Sequence, residues 1–319
     1  DIEESYPHNQ GFDETLFTPY NQVLSLWNQT GEGANAVQGV MRDMLQDDPY
    51  EVDKTFGASD WIMTLEGTKE GETLEWKTSS VEDYYSIDPE CQKRAHDFIR
   101  RNAESGTPFY AAYWPNMVSF IPMPDKSTVA RGVLAEGFTT FVDPFLGNLM
   151  DQLNELGIAE NTLVVAHADN GPMVHDPPPG LGMNETVFRG GKSDYWEGGI
   201  RVAAFAWWPG MIEAGSIVGD MFHEVDLYTT FARLAGATEH IPTDRVVDGV
   251  DQTALLLKGD TNGRRDYNFV YTGNILAAST KGRFKRIWVG DHPGLPGAAF
   301  YDLYNDPRES NPALVPYLH

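Results

Sequence analysis

The 319-residue sequence is poor in cysteine, in basic residues and in long apolar runs. Its single cysteine, Cys91, excludes a disulfide framework and a cysteine zinc site within the chain. The 23 basic side chains are outnumbered by 47 acidic ones, and the resulting net charge of −24 repels polyphosphate. We therefore expect no nucleic-acid partner. No segment reaches the roughly 18 apolar residues of a membrane span, so no such span is predicted.

Composition otherwise fits an ordinary globular protein. Apolar residues make up 41% of the sequence, and its length allows one large domain and a smaller one. Residues 1–14 have neither the basic nor the apolar region of a signal peptide, and the first residue is not methionine. We expect a chain that begins after processing or partway through a gene product.

Apolar periodicity predicts an alternation of strands and helices along most of the chain. Strands are predicted at 61–66 and 73–78 (a hairpin), 108–114, 162–168 and 202–208. Helices are predicted from Asp88 and Pro89 to Gly106, over 137–156 with a kink or a start at Pro144, and over 223–235. This alternation is typical of an α/β fold with a central mixed, mostly parallel sheet flanked by helices. The strand at 162–168 is expected to be fully buried.

Beyond residue 262 the pattern changes. Short strands such as YNFVYTG and FKRIWVG are separated by glycine and proline turns, which is typical of antiparallel pairing. We therefore predict an α/β domain over 1–262 and a small C-terminal antiparallel subdomain, of α+β type, over 263–319.

Asp169 and Asn170 directly follow the predicted strand at 162–168, and Gly171 comes next. Ligands bind at the carboxyl ends of strands in α/β sheets, and carboxylate and amide oxygens suit Ca²⁺ or Mg²⁺ better than zinc. An Asn-Gly pair is also a common turn dipeptide. The triplet alone therefore fits either a metal site or an ordinary turn.

Lys192 lies in a glycine-rich loop that runs from Arg189-Gly190-Gly191-Lys192 to Trp196-Glu197-Gly198-Gly199. Glycines let the backbone approach a ligand closely, and a lysine held there is a point charge for an oxyanion such as phosphate or sulfate. A solvated lysine in a flexible loop is the alternative.

The combination of these segments resembles the sulfatase family, within the alkaline-phosphatase-like superfamily. Residues 7–13, PHNQGFD, are similar to the segment that follows the family's Gly-Lys-x-His-x-Gly motif. The other similar segments are 161–165, 169–172, 188–192, 196–202, 208–210, 225–230, 248–251 and 301–309. The resemblance therefore runs in order over nearly the whole chain.

The resemblance implies roles for individual residues. Asp169 and Asn170 would be two of the four protein ligands of a Ca²⁺ ion, or of Mg²⁺ as in some relatives. Lys192 would be catalytic and would contact the sulfate and the leaving oxygen. Asn116 stands where the family has a sulfate-contacting histidine, and it can donate a hydrogen bond but cannot act as an acid. His175 could line the substrate pocket or be merely structural.

The chain also departs from the family pattern. The family's nucleophile is a formylglycine made from the Cys or Ser of a C/S-x-P-x-R motif, and no such motif occurs here, since Cys91 precedes Gln-Lys-Arg. The two acidic metal ligands of the family's first strand and the Gly-Lys-x-His-x-Gly segment are also absent, and would belong upstream of residue 1. Metal binding by this chain is therefore expected to be weak.

Three functions are compatible with these features. The first is metal-assisted hydrolysis of a sulfate ester, with autonomous activity doubtful because the nucleophile is absent. The second is a non-catalytic sulfatase-like protein that binds an anion or a partner. The third is a phosphatase or phosphonate monoester hydrolase of the same superfamily, because sulfate and phosphate are near isosteres. The expected partner is a sulfate-ester small molecule or glycan. We also expect an oligomer or an association with a missing N-terminal part, and a periplasmic or secreted location.

Overall fold

The computed structural model of the chain describes residues 3–18, 64–69, 71–76, 81–115, 142–172, 187–289 and 299–312. The chain divides into two compact units, and among these residues the boundary falls between Ile158 and Ala159. Asp169, Asn170 and Lys192 all belong to the second unit. The boundary predicted after residue 262 lies inside that unit and remains a prediction.

The first unit contains a three-stranded antiparallel sheet in the order β1-β2-β3. Its strands are β1 (Glu14–Phe17), β2 (Thr64–Thr68) and β3 (Leu74–Trp76). The predicted hairpin is confirmed by β2 and β3, in which Leu65 lies opposite Glu75. The sequence pattern does not predict β1, because its partner is distant along the chain and four residues show no clear periodicity.

The family-like segment at 7–13 packs against this sheet through His8. Residues Pro7–Gln10 form a 3-10 helix, and the His8 ring is buried against Gly67, where any Cβ would collide with it. Nε2 of His8 lies 3.0 Å from Thr73 Oγ1, and Nδ1 lies 3.3 Å from Thr15 Oγ1. The segment therefore contributes to the packing of the sheet.

Helix α1 (Val81–Ser105) begins before the predicted start at Asp88, so Pro89 lies inside the helix. A proline in a helix interior removes one hydrogen bond, and tertiary packing, such as the burial of Ile87, offsets that cost. The helix ends before Gly106, as predicted. The φ of that glycine is +69°, which suits the end of a helix.

Helix α2 (Asp143–Glu155) carries Pro144 in its first turn, which confirms the predicted helix start at this proline. The earlier part of the predicted segment, before residue 142, lies outside the described residues. Gln152 and the α1 residue His96 are joined by two hydrogen bonds, one of which runs from Gln152 Nε2 to the His96 carbonyl oxygen at 2.8 Å. The predicted apolar face is buried at Phe145, Leu149 and Leu153.

The strand predicted at 108–114 is not formed. These residues pair with no strand in the described parts of the chain, and most of their side chains are exposed, Trp114 by 86%. A short apolar run becomes a strand only where a neighbouring strand can pair with it, and the sequence pattern does not reveal that neighbour.

In the second unit, β4 (Val164–His167) and β5 (Ala204–Trp207) confirm the strands predicted at 162–168 and 202–208. They pair antiparallel, with Val164 opposite Trp207, so these two strands do not show the mostly parallel pairing expected of the central sheet. The four-residue α3 (Glu197–Ile200) is the only helix described between them. β4 is half-buried to exposed rather than fully buried.

The rest of the second unit begins with two helices. Helix α4 (Asp226–Leu234) confirms the prediction at 223–235, and α5 (Thr253–Lys258) follows it. The predicted C-terminal antiparallel strands are confirmed by a sheet in the order β6-β7-β8-β9. Its strands are β6 (Tyr267–Thr272), β7 (Ile275–Lys281), β8 (Phe284–Ile287) and β9 (Ala299–Asp302).

The described architecture is a mixture of helices and antiparallel sheets. One face of the C-terminal sheet is buried, and its core residues are Ala278, Ile287, Ala299 and Tyr301, packed with Trp196. In the part of the chain that the structure describes, no helix combines the length and the apolar character needed to cross a membrane.

A buried ion pair ties α4 to the chain that precedes α5 and to Arg265. Asp226 is completely buried, and Arg265 donates to both of its oxygens, from Nη2 at 2.6 Å and from Nε at 2.8 Å. Backbone N–H groups of Val250 and His223 donate to the same carboxylate. Burial opposes ionisation of Asp226, but these hydrogen bonds outweigh it and hold the pKa of Asp226 below its ordinary value.

This pKa shift predicts an acid-dependent loss of stability. Because the unfolded state binds a proton more readily, the stabilisation is complete above the unfolded pKa of about 3.9 and is lost as the pH falls through the lower folded pKa. We expect the free energy of unfolding of the wild type to fall more steeply below about pH 4 than that of Asp226→Asn. Urea unfolding at a series of pH values measures this, and equal slopes for both proteins would contradict the account.

Candidate metal and oxyanion site

Asp169 and Asn170 lie just past the end of β4, as the sequence predicts. Asp169 is exposed, and its Oδ1 accepts a hydrogen bond from the Asn170 backbone N–H at 2.9 Å. Asn170 is half-buried, and its Nδ2 donates to the carbonyl oxygen of Gly171 at 2.8 Å. The pair therefore stabilises a local turn and places two oxygen-bearing side chains side by side at the strand end.

Several glycine backbones meet beside this turn. Gly171 N–H donates to the Gly199 carbonyl at 3.0 Å, and Gly198 N–H donates to the Arg189 carbonyl at 2.6 Å. A Cβ on Gly171 would collide with the Gly198 carbonyl oxygen, and a Cβ on Gly198 would collide with the carbonyls of Arg189 and Gly190. Glycine is required here because backbone packs directly against backbone.

Lys192 lies on the loop that these glycines enclose. Its backbone N–H donates to the carbonyl oxygen of Pro172 at 2.7 Å, which holds the Lys192 backbone close to the turn formed by Asp169 and Asn170. The next residue, Ser193, has a φ of +71°, which residues other than glycine rarely adopt. The Lys192 side chain is half-buried, and its Nζ forms no hydrogen bond or ion pair with another described residue.

Substitution of the glycine at the centre of this packing should be costly. We expect Gly171→Ala to lower the free energy of unfolding by about 1–3 kcal/mol or more, because the obstructing Gly198 carbonyl belongs to the backbone. A matched control is Gly147→Ala on α2, where the added Cβ would meet no atom within 4 Å. This substitution should stabilise the helix by about 0.5–1 kcal/mol. Urea unfolding compares the two variants, and equal midpoints would show that the packing is looser than described.

A buried cluster of charges connects the lysine loop to the C-terminal sheet. Lys285 Nζ lies 3.0 Å from Glu197 Oε1 and 2.9 Å from Glu309 Oε1, and all three side chains are buried. Glu197 Oε2 accepts from Arg201 Nε at 2.8 Å. Burial raises the pKa of Glu309 above its ordinary value, and Lys285 and the Glu197 N–H oppose that shift without cancelling it.

The sequence alone does not reveal this cluster. A signal for Lys285 exists in β8, where strand alternation puts it on the same buried face as Ile287. A lysine at such a position requires buried anionic partners, which the sequence does not locate. Glu197 and Glu309 lie in family-like segments, but the sequence does not show that they converge.

The side chains at the site are of the type that binds a hard cation, but there are too few of them to bind it alone. Asp169 and Asn170 offer oxygen ligands, whereas Ca²⁺ takes about 6–8 oxygens. Within the described residues, no group of three or more His, Cys, Asp or Glu side chains could hold a metal ion. The two residues can therefore supply part of a metal site, and further ligands would have to come from elsewhere.

Asn116 and His175 lie outside the described residues. His167 is exposed, and its Nδ1 lies 3.0 Å from the adjacent Ala168 carbonyl.

Cys91 lies on α1, in the first unit. Burial, followed by the nearby Asp88 charge, raises the pKa of its thiol to about 12. A thiol with so high a pKa is almost entirely protonated at neutral pH. The structure therefore gives Cys91 none of the properties of a nucleophile.

The backbone of Lys192 is held beside the turn that carries Asp169 and Asn170, an arrangement that suits a protein binding an oxyanion and a cation. The family model described as Sulfatase matches residues 135–237, which include Asp169, Asn170 and Lys192. The chain is 31% identical over 238 residues to the steryl-sulfatase of Rattus norvegicus, covering 73% of this chain and 40% of that protein. It is 36% identical over 202 residues to the N-acetylgalactosamine-6-sulfatase of Canis lupus familiaris, covering 62% and 37%.

A solved structure supports the same assignment. The PsFucS1 sulfatase from Pseudoalteromonas sp. matches with a TM-score of 0.76 and 26% identity over 97% of this chain and 63% of that one. The chain belongs to the sulfatase family. The match spans less than half the length of the two curated relatives.

Proposed function

We propose that the protein hydrolyses a sulfate ester with the help of a metal ion, and that these 319 residues supply one part of the active site. The observation that carries the proposal is the hydrogen bond from Lys192 N to Pro172 O, which holds the lysine loop beside the Asp169–Asn170 turn. A cationic side chain and two oxygen ligands on adjoining backbone are the components that a sulfate group and a cation require.

Asp169 and Asn170 would hold Ca²⁺, or Mg²⁺ as in some relatives. When bound, the metal supplies Lewis-acid polarisation of an oxyanion. One carboxylate and one amide give a low ligand charge, so binding of the metal by this chain alone would be weak.

Lys192 would contact the sulfate and stabilise the negative charge that develops on the leaving oxygen. Its Nζ is not committed to another described side chain, and the surrounding glycine packing limits movement of its backbone. Such a fixed positive charge stabilises a transition state without reorganisation. The chain has no C/S-x-P-x-R motif, so the formylglycine nucleophile would have to come from outside these residues.

The substrate class and setting are part of the same proposal. The relatives are named for steryl and N-acetylgalactosamine-6-sulfate chemistry, so a sulfated small molecule or glycan is the proposed substrate class. Asn116 and His175 would line its pocket. A periplasmic or secreted location, a mostly parallel central sheet in the whole protein, and an oligomer or an association with an N-terminal part also belong to the proposal.

The test compares the full-length gene product containing these residues with the 319-residue chain. We expect the full-length product to hydrolyse 4-nitrophenyl sulfate much faster than 4-nitrophenyl phosphate, and the 319-residue chain to hydrolyse neither, because it lacks the nucleophile motif. Asp169→Ala in the full-length product serves to show that turnover uses this site. Equal activity of the 319-residue chain and the full-length product would contradict the proposal, and a preference for phosphate would favour the related phosphatases.

A second candidate is a non-catalytic sulfatase-like protein that binds an anion or a partner. The incomplete set of metal ligands in the described residues favours it. It predicts that the full-length product binds sulfate but turns over no sulfate ester, which the same assay, combined with a sulfate titration, distinguishes.

A further inference from the structure

We propose that Glu309 and Lys285, from the C-terminal part of the chain, are positioning residues for Lys192. Neither lies in the lysine loop, and both are completely buried. The inference rests on the proposed function of Lys192 as the residue that contacts the sulfate. It assigns the C-terminal sheet a role in the active site in addition to its role in folding.

Glu309 holds both ends of the lysine loop. Its backbone carbonyl accepts from Arg189 Nη1 at 2.9 Å, at the start of the loop. Its carboxylate Oε2 accepts from the Glu197 backbone N–H at 2.7 Å, where the loop enters α3. Glu309 has a φ of +53°, a left-handed conformation that residues other than glycine rarely adopt, so its surroundings must hold it there.

Lys285 makes this arrangement electrostatically possible. Glu197 and Glu309 are two buried carboxylates in contact with the same ammonium group, at 3.0 and 2.9 Å. Without that cation the two negative charges would face each other in a region shielded from water, where repulsion is strong. The cluster therefore fixes Glu197 at the end of the loop. The guanidinium of Arg189, at the other end, stacks on the Trp196 ring at 3.6 Å.

The constraint reaches Lys192 through backbone contacts. Gly198, directly after Glu197, donates to the Arg189 carbonyl at 2.6 Å, and this bond closes the loop. Gly199 accepts from Gly171 N at 3.0 Å. The Lys192 backbone N–H donates in turn to the carbonyl oxygen of Pro172, the residue that follows Gly171. If Glu197 were released, the hydrogen bonds of Gly198, Gly199 and Lys192 would weaken locally. A cluster that only stabilised the fold would instead change the global stability alone.

The test measures amide hydrogen exchange at Gly198 and Lys192 in Glu309→Ala, Glu309→Gln and Arg265→Lys. Glutamine keeps an oxygen that can accept from Glu197 N, and alanine does not. Arg265→Lys disturbs the other buried ion pair, with Asp226, and controls for global destabilisation. We expect Glu309→Ala to lower the protection of both amides at least about 10-fold more than Arg265→Lys does, and Glu309→Gln to retain most of it.

Equal protection in Glu309→Ala and Arg265→Lys would overturn the proposal, as would equal losses in Glu309→Ala and Glu309→Gln. If Glu309→Ala does not fold, Arg189→Lys takes its place, because it removes the guanidinium bond to the Glu309 carbonyl without touching the buried carboxylates. Amide exchange at Gly198 and Lys192 is then compared between Arg189→Lys and Arg265→Lys. A titration with inorganic sulfate separates this inference from the proposed function. Failure of the wild type to bind sulfate counts against the function, whereas unchanged amide exchange in the variants counts against the positioning role.

Discussion

Replacement of Arg265 by methionine is expected to lower the free energy of unfolding by about 3–5 kcal/mol. The substitution leaves the Asp226 carboxylate buried without the guanidinium that donates to both of its oxygens. It also removes the bond from Arg265 Nη2 to the Asp248 carbonyl at 2.7 Å. Chemical denaturation of the 319-residue chain measures the loss, and Arg265→Lys should fall between the wild type and Arg265→Met because lysine cannot reproduce the fork of donors.

The matched control is Arg245→Met. Arg245 is also paired with an aspartate, Asp244, but both side chains are largely exposed. Exposed pairs contribute little because water and salt screen them. If Arg265→Met were no more destabilising than Arg245→Met, the buried pair would not be a main support of the second unit.

The second large effect concerns catalysis. In the full-length gene product, Lys192→Met is expected to lower kcat/KM for 4-nitrophenyl sulfate by about 10²–10³-fold. Methionine keeps the length and apolar character of the side chain but removes the positive charge proposed to contact the sulfate. The loss should appear mainly in kcat, because charge accumulates on the leaving oxygen in the transition state. Steady-state kinetics on purified, folded variants gives both parameters.

The elements that sequence analysis predicts correctly are those with strong local signals. Pro144 sets the start of α2, Gly106 follows the end of α1, and β2 and β3 pair as the predicted hairpin. Proline and glycine act through the dihedral angles of their own residues, so their effect is visible in the sequence. The position of Asp169 and Asn170 follows from another local signal, the apolar run that predicts the strand at 162–168.

The features that sequence analysis does not predict depend on contacts between distant segments. The antiparallel pairing of β4 and β5 and the exposure of Trp114 depend on which segments become neighbours, which periodicity does not encode. The convergence of Lys285 with Glu197 and Glu309 is of the same kind. Helix α1 begins before Pro89, which shows that tertiary packing can outweigh the helix-breaking tendency of a proline.

The central claim is that Lys192 is held as an oxyanion contact beside the turn formed by Asp169 and Asn170. The most direct measurement is the ratio of kcat/KM for 4-nitrophenyl sulfate between Lys192→Met and Lys258→Met in the full-length gene product. Lys258 is an exposed lysine at the end of α5, so its substitution removes the same charge away from the lysine loop. The account predicts that Lys192→Met is slower by about 10²–10³-fold and that Lys258→Met matches the wild type. Equal rates for the two variants would contradict it.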